Sequence, residues 1–287
     1  MTTASPAAVV VISSLVARGG IGLRAAGFAL ERLGHQVWSV PTVFLPWHPG
    51  HGPSTRIVPP VADFEAALAD LAETAWLDEV GAVISGYLGS AEQAPAVARF
   101  VRRVKERKPD IRYLCDPVSA DDGGLYVPDA TAEAIRSELL PLADIATPNR
   151  FELAWMTGRS IETINETLDA ARALGPQRVL VTSAPALMRN SVAMLYTTPR
   201  GAWVAEHPLV AHPPHGPGDL SSALLIDQVL AGHPGPAALE RTAAGAYEIV
   251  ARSAKAGSDE LMVVAEQGRL ARPMAMVQMR RIAEARA

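Results

Sequence analysis

Apolar residues along this chain follow two rhythms. Short runs rich in β-branched residues, Val9–Ser13, Gln36–Val40, Ala82–Ser85, Arg112–Cys115, Asp144–Thr147 and Val179–Thr182, predict strands. Between them lie longer segments with apolar positions at helical spacing, Ala25–Leu33, Val61–Ala75, Ala91–Lys105, Ala130–Leu139 and Thr163–Leu174, which predict helices. The resulting order, βαβαβα, implies an α/β fold: a mostly parallel central sheet covered by helices on both faces. Ser191–Tyr196 and Ala202–His207 flank Thr-Thr-Pro-Arg-Gly and predict an antiparallel hairpin added to that sheet. Two helices, about Gly218–Leu230 and Ala237–Ala254, follow. Six prolines, two glycines and two histidines between Pro41 and Pro60 predict an irregular segment, a lid or a subunit contact. No internal repeat is present, and residues 277–287 predict a short helical or frayed tail. The expected organisation is one domain over 1–287, with 274–287 as a short C-terminal tail.

Composition narrows the function classes. The 287 residues are 49% hydrophobic, enough for one large core or two small ones. Lys plus Arg total 26 against 30 Asp plus Glu, a net charge of −4, and no basic block tracks phosphates, so nucleic acid is not an expected partner. The lone Cys115 sits in an apolar run and reads as a small buried strand residue, with no disulfide framework to build. Ala7–Ile12 is too short to span a bilayer and has no basic residues before it, so it reads as the first strand and not as a signal peptide. A cytoplasmic location with no membrane partner is the expectation.

The candidate chemistry centres on Pro213-Pro-His-Gly-Pro-Gly-Asp219, followed by the apolar run Leu220–Ile226. This is a glycine-rich turn opening a helix, with a carboxylate at its start. Glycines let the backbone approach an anion, the first-turn N–H groups and positive dipole end face it, and the aspartate can take a proton from an attacking hydroxyl. An ordinary Asp-capped helix after a Pro/Gly loop has the same appearance.

Four other segments bear on that choice: Ser85-Gly-Tyr-Leu-Gly-Ser-Ala-Glu-Gln93; Cys115-Asp-Pro-Val118 with Gly124-Leu-Tyr-Val-Pro128; Pro141-Leu-Ala-Asp-Ile-Ala-Thr-Pro-Asn-Arg-Phe-Glu152; and Gly175-Pro-Gln-Arg-Val-Leu-Val-Thr-Ser183. In order and spacing they resemble pyridoxal kinases of the ribokinase-like superfamily, and Gly216-Pro-Gly-Asp219 resembles its G-x-G-D signature. The resemblance runs from about Val9 to Val250. It implies a three-layer ribokinase-like fold and a kinase moving the γ-phosphoryl of ATP to the 5′-hydroxymethyl group of vitamin B6 vitamers, pyridoxal, pyridoxine or pyridoxamine. Mg²⁺ is the implied cofactor, a K⁺ requirement stays open, and the family's usual homodimer is expected.

By the same resemblance Asp219 is the catalytic base and an acceptor contact, and Gly216, Pro217 and Gly218 form the anion hole. Asp116, Tyr126, Thr147, Asn149, Glu152, Thr182 and Ser183 are implied on the ATP side, with Asp116 and Glu152 holding the metal. Ser14, Thr42 and Tyr87 are implied at the acceptor ring. Most of these fall at predicted strand ends, where an open parallel sheet binds ligands. Residue by residue, simpler roles stand beside these. Asn149 and Glu152 have capping-box spacing, hydroxyls at strand ends often satisfy local backbone, and Tyr126 reads equally as a packed aromatic.

The chain also departs from the family pattern. Leu15 and Leu23 replace polar residues, Phe44-Leu-Pro-Trp-His48 replaces a polar stretch after Thr42-Val43, and Ala120 stands where glycine is usual. A more apolar acceptor pocket and a stiffer loop at residue 120 are expected. The alternatives are a related small-alcohol kinase, such as a hydroxymethylpyrimidine kinase, and a catalytically silent pyridoxal phosphate-binding relative.

Overall fold

In the computed structural model of the chain, which describes residues 6–284, the first apolar run forms β1 (Ala8–Val16). Val9 and Val11 enter one core and Val10 and Ile12 another, so the strand is covered on both faces, as an unbroken β-branched run requires. The further strands are β2 (Val37–Leu45), β3 (Val80–Ser85), β4 (Arg112–Cys115), β5 (Ala120–Asp121), β6 (Gly124–Leu125), β7 (Ile145–Ala146), β8 (Arg178–Ala184), β9 (Ser191–Thr198), β10 (Gly201–Pro208) and β11 (Gln278–Ala283). The helices are α1 (Gly22–Arg32), α2 (Val61–Glu73), α3 (Gln93–Arg107), α4 (Asp129–Ala134), α5 (Arg150–Thr157), α6 (Ile164–Ala173), α7 (Pro217–Leu230), α8 (Gly235–Lys255) and α9 (Gln267–Ala271).

Nine strands make one sheet in the order β11-β10-β9-β8-β7-β4-β3-β1-β2. From β2 to β8 the pairings are parallel, whereas β9, β10 and β11 join antiparallel to their neighbours. A separate antiparallel ribbon, β5 with β6, follows β4. Residues of α1, α7 and α8 pack on one face, those of α2 and α3 on the other, and α5 and α6 cover the β8–β10 end of that second face. The three-layer α/β expectation therefore holds. Among the described residues no helix is long and apolar enough to cross a membrane.

Three local expectations need correction. The span after Pro41 is not wholly irregular, because β2 continues through Pro41 to Leu45. β2 is the edge strand, where a missing N–H need not break a ladder. The helix expected over Ala130–Leu139 ends as α-helix at Ala134 and widens into a π-helical turn over Ile135–Leu139. Over its described part the C-terminal segment is a strand and not a helical tail: β11 pairs along β10, Met279 packs against one core, and Ile282 packs against another, while 285–287 lie outside the described residues. An open β10 edge supplies the N–H and C=O partners that no local sequence signal announces.

The β11 edge also carries a buried charge. Glu206 on β10, with a side chain 4% exposed, meets Arg280 at 2.9 Å and otherwise receives only the N–H groups of Leu187 and Met188 at 3.4 and 3.2 Å. Arg280→Ala is expected to lower unfolding stability by about 1–3 kcal/mol, the cost of an under-satisfied buried acceptor. Thermal unfolding checks this, and an unchanged melting temperature would show that the ion pair does not hold the edge.

Candidate active site

α7 starts where it does because Gly216 adopts φ +99°, a left-handed conformation that turns the chain into the helix, and because proline suits the first helical position. Pro217 has no N–H to give. The donors of this turn are therefore the amides of Gly216, which follows the His215–Glu260 bridge, and of Gly218 and Asp219, neither of which has a backbone partner among the described residues. Together with the helix dipole they make an anion site.

Asp219 is half-buried in that first turn. Its Oδ2 accepts the N–H of Gly22 at 2.9 Å. Gly22 sits at φ +53°, and a Cβ there would stand 2.2 Å from the Ser14 carbonyl oxygen, so only glycine lets the β1–α1 loop fold back to reach the aspartate. The other oxygen, Oδ1, has no protein partner among the described residues and faces Gly86, where an added Cβ would stand 3.8 Å from it. Burial pushes the Asp219 carboxyl up to about 6, with the Gly22 N–H opposing. One oxygen is anchored and the other is open.

Two more carboxylates share this rim. Asp116, buried at the end of β4, accepts Ser222 Oγ on its Oδ2 at 2.8 Å, and Ser222 Oγ lies 2.8 Å from Thr147 Oγ1. Ser222 is one helical turn beyond Asp219, so α7 presents both to the sheet. Burial pushes the Asp116 carboxyl well above its usual range; Glu152 and Asp219 add to the shift, and the hydroxyls of Ser222 and Thr147 oppose it. Glu152 is pushed up to about 7 by burial, against the N–H groups of Ser119, Asn149 and Ala120. Among the described residues none of these three carboxylates has a lysine or arginine partner.

Asn149 and Glu152 form a complete capping box on α5, a helix that hydrophobic rhythm alone did not predict. Asn149 Oδ1 accepts the N–H groups of Phe151 and Glu152, and its Nδ2 donates to the Ala120 carbonyl at 2.7 Å. Glu152 takes Ser119 N–H on one oxygen at 2.7 Å and Asn149 N–H on the other at 2.8 Å. Both oxygens are thus engaged with backbone, and among the described residues no group of three His, Cys, Asp or Glu is placed to hold a metal by itself. Asp116, by contrast, is held by hydroxyls and not by backbone N–H groups among the described residues. Ala120 is buried and its φ is not positive, so alanine sits there without left-handed backbone strain.

The remaining ATP-side residues spread along the same rim. Thr147 is buried, Thr182 is half-buried and bridges Asn149, and Ser183 is exposed at φ +56° where β8 shifts register. Tyr126 is 50% exposed, its N–H bonded to the Ser119 carbonyl at 3.0 Å.

On the acceptor side, Ser14 lies buried beneath Gly22 and Tyr87 stands half-buried beside Ile21, Val43, Leu45 and Val58. Thr42 is fully buried and donates its hydroxyl to the Tyr87 carbonyl at 2.7 Å, so it shapes the wall and does not present that proton to a ligand. Of the residues expected to make the pocket more apolar, Leu23 is 5% exposed beneath α1 and Leu15, half-buried, packs against the same core. Phe44 and Trp47 are each 37% exposed.

Sequence reasoning passed over several residues here. Ser222 reads as one small residue in an apolar helix, and only helical phase relative to Asp219 could have singled it out. His48, His51 and His215 gather beside Gly216: His48 stacks on His215 at 3.9 Å between centroids, and His51 Nε2 meets Glu260 Oε1 at 2.9 Å. Burial pushes His48 down to about 4, with His215 and His51 adding and Glu260 opposing. These residues come from segments far apart in the sequence, so no local motif joins them.

The site can be set against known proteins. Residues 61–264 match the family model described as phosphomethylpyrimidine kinase. The chain is 32% identical to pyridoxal kinase PdxY of Corynebacterium diphtheriae (95% of this chain, 98% of that protein) and 36% identical to that of Rubrobacter xylanophilus (95% and 96%). PdxY of Burkholderia orbicola is 39% identical, covering 91% of this chain and 94% of its own. Among solved structures, pyridoxal kinase from Leishmania donovani in complex with ADP and pyridoxine superposes with a TM-score of 0.88 at 25% identity, covering 96% of this chain and 98% of that one. Near-complete coverage in both directions and an aspartate directly after a Gly-Pro-Gly turn lead to the same place: the chain belongs to the pyridoxal kinase family of the ribokinase-like superfamily.

Proposed function

We propose that this chain is an ATP-dependent kinase for vitamin B6 vitamers, acting on the 5′-hydroxymethyl group of pyridoxal, pyridoxine or pyridoxamine. The observation that carries the reading is the divided environment of Asp219, with Oδ2 tied to Gly22 N–H and Oδ1 open in a helix first turn whose Gly218 and Asp219 amides lack a backbone partner among the described residues. In this mechanism the acceptor's hydroxyl proton goes to Asp219 Oδ1 as its oxygen bonds to the γ-phosphorus. The bond to the β–γ bridging oxygen breaks, and ADP leaves with the electron pair. The amides of Gly216, Gly218 and Asp219 donate to the transferring oxygens, so the residues position and stabilise charge and form no covalent intermediate.

Asp116, Thr147, Asn149, Glu152, Thr182, Ser183 and Tyr126 form the nucleotide side in this reading, and Ser14, Thr42 and Tyr87 the acceptor side. A divalent cation fits the rim chemically, because Asp116 and Asp219 have no basic side chain paired with them among the described residues and hard oxygen donors suit Mg²⁺. When bound, Mg²⁺ would neutralise charge on the phosphate oxygens, with Asp116 at its edge and Glu152 acting through the backbone it fixes. A homodimer, a single domain and a cytoplasmic location complete the proposal, with the K⁺ requirement left open. The second reading, a hydroxymethylpyrimidine kinase, is favoured by the family model over residues 61–264. ATP consumption measured over the three vitamers and hydroxymethylpyrimidine, with Mg²⁺ and K⁺ present, decides between them; turnover of the pyrimidine alone would overturn the first.

Asp219→Asn is expected to lower kcat by about 10²–10⁴ while leaving fold and ATP affinity in place, since asparagine keeps an oxygen for Gly22 but takes no proton. A kcat within a few-fold of wild type, at saturating acceptor, would return the turn to a purely structural role.

The pH profile gives a further check. With its carboxyl raised to about 6, Asp219 is the charged base only above that pH, so kcat/KM should fall as pH drops through about 6 and level off above it. An acidic limb that persists unchanged in the residual activity of Asp219→Asn would assign the titration to another group.

A further inference from the structure

The acceptor wall is fastened by a side chain that phosphoryl transfer does not use. Arg56 lies between β2 and α2, and its Nη2 donates to the Gly89 carbonyl and stands 3.5 Å from the Tyr87 hydroxyl. It is exposed, and among the described residues it has no carboxylate partner. The inner side of the same turn is held by other bonds. Thr42 Oγ1 donates to the Tyr87 carbonyl at 2.7 Å, Gly89 N–H donates to Gln93 Oε1 at 2.7 Å, and Gln93 Nε2 donates to the Thr42 carbonyl at 2.9 Å.

These two sets behave differently. Thr42 and Gln93 are wholly buried, so breaking their bonds strands polar groups away from water. Arg56 can exchange its partners for solvent with little penalty, which makes it the releasable fastening. Val58, two residues further on, packs in the same small cluster as Tyr87, so freeing Arg56 loosens both the β2–α2 segment and the ring.

We propose that Arg56 is a positioning residue for the acceptor: by tying Tyr87 and the Gly89 carbonyl to the β2–α2 segment it fixes the wall against which the acceptor ring lies, and so sets acceptor affinity without altering the chemical step. The proposal rests on the reading of this crevice as the acceptor site. It also gives the wall a polarity. A guanidinium only donates, so the Tyr87 hydroxyl serves it as acceptor and keeps its own proton to offer to a ring oxygen or ring nitrogen. The acceptor class that fits is a hydroxylated heteroaromatic alcohol.

The test compares Arg56→Met, which keeps the stem and loses the donors, with Arg56→Lys, which restores a charge able to reach the Gly89 carbonyl. In the full chain, Arg56→Met should raise acceptor KM about tenfold, the loss expected for one charge-assisted bond, with kcat within about twofold and KM for ATP unchanged. Arg56→Lys should recover part of that loss. Without any substrate, amide hydrogen exchange over residues 86–89 should quicken in Arg56→Met, less so in Arg56→Lys, with α7 unaffected. An unchanged acceptor KM, or both KM values rising together with a lower melting temperature, overturns the proposal. If wild type phosphorylates none of the vitamers, the functional reading fails on its own, and unchanged exchange at 86–89 then removes the tether as well.

Discussion

Asp116, Glu152 and Asp219 share one end of the sheet without a lysine or arginine to offset them, and the surrounding loops are arranged around that constraint. Each carboxylate is stabilised by a different donor. Glu152 uses the backbone N–H groups of Ser119, Ala120 and Asn149, Asp116 uses the hydroxyl of Ser222, and Asp219 uses the N–H of Gly22 with the dipole of α7. Every donor comes from an element other than the carboxylate's own strand end or helix turn, apart from the capping bond at Asn149. The loops after β1 and β4 and the start of α7 are thereby fixed relative to one another, which is what a reaction governed by positioning needs.

The stabilisation is graded in a way that separates structure from chemistry. Glu152 has both oxygens committed and lies buried, so it acts as a structural post for the β4–β5 connection and the start of α5. Asp116 has one oxygen committed, to a hydroxyl that itself meets Thr147. Asp219 keeps one oxygen unbonded among the described residues and is half-buried, and its carboxyl is pushed up only to about 6, so it is still ionised at neutral pH. The group with the greatest freedom is the one placed on the helix N-terminus. Burial makes proton uptake by Asp219 easier, because it penalises the charged form, with the Gly22 N–H opposing.

The layered fold was legible because both of its signals are local: runs such as Val9–Ser13 bury on two faces, and amphipathic segments of helical length lie between them. The elements that escaped are those whose cause is distant. β11 exists because β10 offers an open edge about seventy residues earlier, a separation that no window reading can bridge. α5 is eight residues with a weak apolar rhythm, and its visible sign was the Asn149 and Glu152 capping box. At the site, motif spacing found Asp219, Asp116 and Glu152, but not which of their oxygens are free. That depends on Ser222 and Gly22, contributed from elsewhere in the chain.

The departures from the family pattern acquire a different meaning once placed. Leucines at 15 and 23 would suggest a more apolar pocket if they faced it, yet Leu23 belongs to the core under α1 and Leu15 packs against that core. Burying them adds to the favourable transfer term of the layer that supports α7, so the substitution acts on the platform beneath Asp219. Asparagine at position 23 would bring an amide into that core at a cost of about 1–3 kcal/mol if unpaired. Whatever distinguishes this chain's acceptor must then come from the wall that does face the crevice, the stretch from Thr42 to Val58 and the turn at Tyr87, whose shape Thr42, Gln93 and Arg56 jointly determine.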